Sequence, residues 1–219
     1  MIKTGLLFGS FNPIHIGHIA IAGYMQQFEG LDEIWFIVSP QNPLKNAGQL
    51  ASPTARLQMV RLAVEEYPAF KASDIEFGMP LPSFTLNTMQ KLVEEYPERD
   101  YHIIIGTDNV DSLRKWKGSN TLLRDHKFLV YPRIRTENSE PGNYASNLET
   151  LIQRKGFGNK ELISENLQMD LFSKVRLVDA PKIEVSSSFI RESLNKGKDM
   201  RAFVPPKAYN YLIKNKLWK

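Results

Sequence analysis

A parallel α/β sheet with helices wound onto both faces is the architecture this sequence predicts, on three observations. Short continuous apolar runs recur along the chain. Each ends in Gly, Ser, Pro, Asn or Asp, and segments with helical apolar spacing separate one run from the next. Strands buried on both faces read as unbroken apolar runs, and alternation of such runs with helices means parallel strands joined by right-handed crossovers.

Ile2 to Phe8 is the first run; it ends in Gly9-Ser10 and leads through Asn12-Pro13 into a helical pattern from about Gly17 to Phe28. Ile34 to Val38 is a second strand, closed by Ser39-Pro40 and followed by a polar loop from Gln41 to Ser52. Pro53-Thr54 opens a helix carrying Leu57, Val60, Leu62 and Val64, which stops before Pro68. The cycle repeats with a strand from Phe70 to Ile75, a helix from about Thr85 to Glu95 and a strand from Tyr101 to Ile105. Another helix precedes the strand Lys127 to Tyr131. Beyond it, residues 133–172 read as an insertion, with a polar loop and helices around 147–154 and 161–171. Val175 to Val178 is the last strand, Ser186 to Leu194 a helix, and Pro205-Pro206 starts a terminal helix striped by Tyr209, Leu212 and Ile213. At about 100–200 residues per domain, the 219 residues read as a single domain, 1–219, with 186–219 as a small C-terminal helical part.

Composition removes several functions. Hydrophobic residues make up 42% and charged residues 24%, enough for a sizeable core. There is no cysteine, which excludes a disulfide frame, a thiolate metal site and a cysteine nucleophile. No run approaches a membrane span and the N-terminus lacks the pattern of a signal peptide, so a cytoplasmic location is expected. The net charge of +4 is a C-terminal property: residues 191–219 hold eight Lys or Arg against two acids. That tail reads as a solvated helix face before it reads as a nucleic-acid footprint, so no nucleic-acid or membrane partner is expected.

Ligands of doubly wound sheets sit at the carboxyl ends of the strands. The densest such end is Gly9-Ser10-Phe11-Asn12-Pro13-Ile14-His15-Ile16-Gly17-His18. A glycine there lets backbone approach a ligand, and the helix that follows presents unpaired N–H groups and a positive dipole end, which suits phosphate. His15 and His18 lie on one side of the first turn and are able to donate hydrogen bonds as negative charge builds in a displacement. No third and fourth ligand at metal spacing supports a zinc site. A second helix start, Val185-Ser186-Ser187-Ser188-Phe189-Ile190-Arg191, offers hydroxyls and amides with Arg191 one turn on; an ordinary serine cap with a solvent arginine is the bland alternative.

These two strings resemble the His-x-Gly-His and Ile-Ser-Ser-Thr-x-Ile-Arg signatures of the nucleotidylyltransferase superfamily. Within it the chain most resembles the bacterial nicotinate-nucleotide adenylyltransferases: Pro82-Ser83-Phe84-Thr85-Leu86-Asn87-Thr88 is similar to their Pro-Ser-Tyr-Thr-x-x-Thr stretch, and Ile105-Gly106-Thr107-Asp108 with Trp116 matches their Ile-Gly-x-Asp and tryptophan spacing. The likeness runs from residue 2 to the terminal Lys-Leu-Trp-Lys. It implies a Rossmann-like nucleotidylyltransferase fold and transfer of the adenylyl group of ATP to nicotinate mononucleotide. Mg²⁺ would be held mainly by ATP phosphates, with no protein metal site.

By the same resemblance His15, His18 and Arg191 would handle the ATP phosphates, Gly9, Ser10 and Phe11 would line the nucleotide, and Gly106, Asp108, Ser187 and Ser188 would complete its site. Thr85 and Trp116 would seat the pyridine mononucleotide, with Lys45 and Arg133 as further substrate contacts. The chain departs from the family at Leu44, where a histidine is usual, and at Pro132-Arg133-Ile134-Arg135, where Arg-Pro-Gly is usual. The amide mononucleotide, phosphopantetheine, and a non-catalytic nucleotide-binding regulator remain alternatives, and a homo-oligomer is compatible with the sequence.

Overall fold

A computed structural model describes residues 1–42, 50–110, 112–133 and 174–218. The elements in chain order are β1 (Ile2–Gly9), α1 (Ile16–Phe28), β2 (Glu33–Val38), α2 (Pro53–Val64), β3 (Phe70–Ser73), α3 (Thr85–Glu95), β4 (Arg99–Gly106), α4 (Thr107–Val110), α5 (Ser119–Asp125), β5 (Lys127–Tyr131), β6 (Val175–Leu177), α6 (Ser187–Asn195) and α7 (Pro206–Lys214). The strands form one six-stranded sheet in the order β3-β2-β1-β4-β5-β6, and every pairing is parallel. The chain therefore winds outward from β1 in one direction and, after β3, from β4 in the other. The crevice between the carboxyl ends of β1 and β4 is the switch point of this order.

The unbroken apolar runs follow from burial on both faces. Alternate residues of one strand enter different cores: Leu7, Phe36, Ile104 and Leu129 pack with Ile21, Met25, Val60, Ile190 and Leu212 on one side. Leu6, Trp35, Ile103 and Phe128 pack with Met89, Leu92, Leu122 and Leu123 on the other. Helices α6 and α7 thus share a core with α1 and α2. No described helix is long and apolar enough to cross a membrane.

Several element bounds differ from the sequence expectation, each for a local reason. Helix α1 begins at Ile16, because extended His15 caps it. Strand β3 stops at Ser73, since Ile75–Gly78 turn into a 3₁₀ segment that carries Glu76 into the interior. Strand β4 starts two residues earlier than its apolar run, with Arg99 and Asp100 paired to Ile2 and Lys3. Helix α3 keeps the expected bounds, with extended Phe84 as its cap. The expected helices around 147–154 and 161–171 lie outside the described residues.

Candidate active site

The loop from β1 to α1 is built around a stack of rings. A side chain at Gly9 would bring Cβ to 2.9 Å from the ring of Phe11, so glycine there leaves room for that ring to fold back. Phe11 turns the chain at φ 46°, is buried, and meets the His18 ring edge-on at a centroid distance of 5.0 Å. His18 in turn stacks on His15, with centroids 3.7 Å apart and planes inclined by 27°. The His15 backbone N–H donates to His18 Nδ1 at 3.2 Å, so the neutral His18 ring carries its proton on Nε2. Gly17 permits the stack, since a Cβ there would lie 3.0 Å from His15 Nδ1.

His15 is only 4% exposed, and burial, aided by the positive charge of Arg133, pushes its pKa down to about 3. The His15 ring is therefore neutral at neutral pH where it lies against His18. The depressed value has a stability consequence. An unfolded histidine titrates near 6.5, so the stability from keeping His15 neutral is present above that pH and is lost as pH falls from there toward about 3. Glu76 opposes it: burial raises its carboxyl pKa, outweighing the hydrogen bond from Thr88, and its contribution is lost as pH rises. A His15→Asn variant is accordingly expected to show a flatter fall in unfolding free energy, read from urea curves, between pH 6.5 and 4.5 than the parent, by up to about 1.4 kcal/mol per pH unit. Parallel free-energy curves for the two proteins would contradict the buried neutral ring.

The second helix start latches onto this loop. Ser186 caps α6 by accepting from the Phe189 N–H at 3.2 Å. Ser187 Oγ donates to the Pro13 carbonyl at 2.9 Å. Arg191 lines the cleft and donates to the Asn12 carbonyl at 2.9 Å and to Ser188 Oγ at 3.2 Å. Its guanidinium joins the two signatures, and Asn12 adds a third tie by accepting the Ala51 N–H on Oδ1 at 2.9 Å.

Across the switch point, β4 ends in Gly106. A side chain there would overlap Asp108 Oδ1 and come within 3.2 Å of the Tyr131 ring, so the glycine gives the Asp108 carboxylate its position. Arg133 approaches that carboxylate at 3.5 Å, while its backbone N–H and C=O are both bonded to Thr107 Oγ1, at 2.9 and 2.7 Å. Trp116 follows a short 3₁₀ turn at Leu113–Lys115, and Thr85 heads α3, where first-turn N–H groups lack intrahelical partners.

All of these residues line a single cleft of about 620 Å³: Gly9, Ser10, Phe11, His15 and His18 on one wall, Ser187, Ser188 and Arg191 beside them, and Gly106, Asp108, Arg133, Thr85 and Trp116 opposite. Lys45 lies outside the described residues, as does Leu44. The cleft also holds Glu76, whose buried carboxylate accepts from Thr88 Oγ1 at 2.8 Å. Sequence reasoning missed Glu76 and Asn12; the one sign of Glu76 is an acid between Ile75 and Phe77. Among the described residues no three His, Asp or Glu side chains gather in a group that could hold a metal ion.

The profile of the cytidylyltransferase-like family matches residues 6–193. A Bacteroides thetaiotaomicron protein named probable nicotinate-nucleotide adenylyltransferase is 43% identical over 211 residues, which span 96% of this chain and 91% of that protein. A Flavobacterium johnsoniae protein of the same name is 40% identical over the full length of both. The chain belongs to the nicotinate-nucleotide adenylyltransferase family. The fold agrees: the nicotinic acid mononucleotide adenylyltransferase of Plasmodium falciparum, in its complex with NaAD, superposes with a TM-score of 0.72 at 19% identity, covering all of this chain and 98% of that one. Both signature helix starts of this chain line one cleft.

Proposed function

We infer that this protein transfers the adenylyl group of ATP to nicotinate mononucleotide, giving nicotinate adenine dinucleotide and pyrophosphate, a step of NAD biosynthesis. The observation that carries the reading is the joining of both helix starts and the Asp108 strand end on one cleft. A phosphate oxygen of the mononucleotide attacks the α-phosphorus of ATP in line, the bond to the bridging oxygen breaks, and pyrophosphate leaves. Such a transfer needs alignment and charge stabilisation in place of a covalent intermediate.

His18, with its proton on Nε2, donates to an ATP phosphate oxygen as charge develops, and His15 holds that ring in register. Gly9, Ser10 and Phe11 line the nucleotide, and Ser187, Ser188 and Arg191 close the phosphate side. Asp108 accepts from the ATP ribose. Mg²⁺ bound to the ATP phosphates supplies charge neutralisation; the carboxylate-poor cleft fits an ion carried in this way. Trp116 stacks on the pyridine ring, Thr85 seats the nicotinate carboxylate through helix-start amides, and Lys45 and Arg133 serve the acceptor phosphate.

Trp116 offers a direct test of the acceptor half. The protein has three tryptophans, and Trp35 is buried in the core. Titration with nicotinate mononucleotide is expected to quench part of the tryptophan emission, with most of that quench lost in Trp116→Phe. Full quench in the variant would remove Trp116 from the acceptor site. Equal quench by the nicotinamide mononucleotide would remove the preference for the acid.

A further inference from the structure

Behind the cleft lies a buried cation that the mechanism above does not use. Arg56, in the first turn of α2, has no exposed surface. Its guanidinium is given to four carbonyls: Nε donates to Ala51 O at 3.0 Å, one terminal nitrogen to Ser10 O at 2.7 Å and Ser39 O at 2.8 Å, and the other to Pro40 O at 2.7 Å. Ser10 follows β1, Ser39 and Pro40 follow β2, and Ala51 precedes α2. One planar fork therefore ties together the two strand-end loops at the cleft, a geometry that lysine does not reproduce.

The charge is unanswered. Carbonyl dipoles solvate a cation without neutralising it, and among the described residues no carboxylate joins the four acceptors. Burial lowers the pKa to about 10, which leaves Arg56 charged at neutral pH. Its place in the first turn adds to the positive end of the α2 dipole instead of opposing it. A buried charge without a counter-charge is costly, and packing alone would be served better by an apolar side chain. The fork also orients backbone: with the Ser10 carbonyl turned to Arg56, the trans peptide leaves the Phe11 N–H on the opposite side. Further along the same loop, Arg191 and Ser187 fix the carbonyls of Asn12 and Pro13.

We propose that Arg56 is a positioning residue for the polyphosphate of ATP: it sets the loop that receives the phosphates and leaves beneath it a positive charge that they complete. This rests on the ATP reading above. Isothermal titration of the folded protein with Mg²⁺-ATP, with pyrophosphate and with nicotinate mononucleotide, each alone, tests it in the parent, Arg56→Lys and Arg56→Gln. The expected result is at least a tenfold loss of affinity for both ATP and pyrophosphate in Arg56→Gln, a smaller loss in Arg56→Lys, and a change under threefold for nicotinate mononucleotide. Variants of lowered melting temperature that bind ATP and pyrophosphate as the parent does would overturn the proposal, as would an equal loss for all three ligands. Failure of both variants to fold would also overturn it, because a fork that joins loops is not needed for the sheet to form. Binding is read without turnover, so a parent protein that binds ATP yet fails to adenylate nicotinate mononucleotide would count against the acceptor assignment and leave this test standing.

Discussion

His18→Ala is expected to lower kcat by roughly 10²- to 10³-fold, the usual cost of removing one donor aimed at developing charge, while the protein remains folded. The expectation rests on how the ring is held. Its Nδ1 accepts from the His15 N–H, its ring meets Phe11 edge-on and its face lies on His15, which fixes the ring at the cleft with its proton on Nε2. Loss of the ring also removes an acceptor at the start of α1, worth about 1 kcal/mol, a few degrees in melting temperature for a chain of this size. Circular dichroism and melting measured beside the kinetics separate the two effects. A folded His18→Ala protein with near-parental kcat would remove His18 from the chemistry.

Gly106→Ala is expected to reduce kcat/KM by roughly ten- to a hundred-fold, the value of about 1.5–3 kcal/mol for a hydrogen bond to a charged group, although glycine itself touches no substrate. A Cβ at 106 would overlap Asp108 Oδ1 and crowd Tyr131, so the carboxylate must leave the position from which it would accept a ribose hydroxyl. Asp108→Ala is expected to show a loss of similar size by removing that acceptor outright. If the two act through the same contact, the double variant falls no further than the worse single one. Additive losses would show that Gly106 acts through the Tyr131 ring or the strand end instead.

The sheet was legible because its strands are buried twice over: a run such as Ile103-Ile104-Ile105 needs one apolar side chain for each core and a third to return to the first. The two phosphate-ready helix starts were legible for a related reason, since glycine, serine and histidine at a strand end are local chemistry. What the sequence did not show was the traffic between distant segments. The Arg191 side chain also ties its helix to the Asn12 carbonyl, 179 positions away. Arg56 and Glu76 look like surface charges on a helix and a loop; only the meeting of the β1 and β2 ends with α2 and α3 buries them.

Pyrophosphate release tests adenylyl transfer to the acid mononucleotide most directly. The protein would be given Mg²⁺-ATP with nicotinate mononucleotide, nicotinamide mononucleotide or phosphopantetheine in parallel, with the dinucleotide product measured in the same samples and His18→Ala as the control. Pyrophosphate and nicotinate adenine dinucleotide appearing in equal amounts, fastest with the nicotinate substrate and nearly abolished in the control, is the predicted result. Folded, ATP-binding protein that releases no pyrophosphate with nicotinate mononucleotide, or that turns over another acceptor faster, would contradict it.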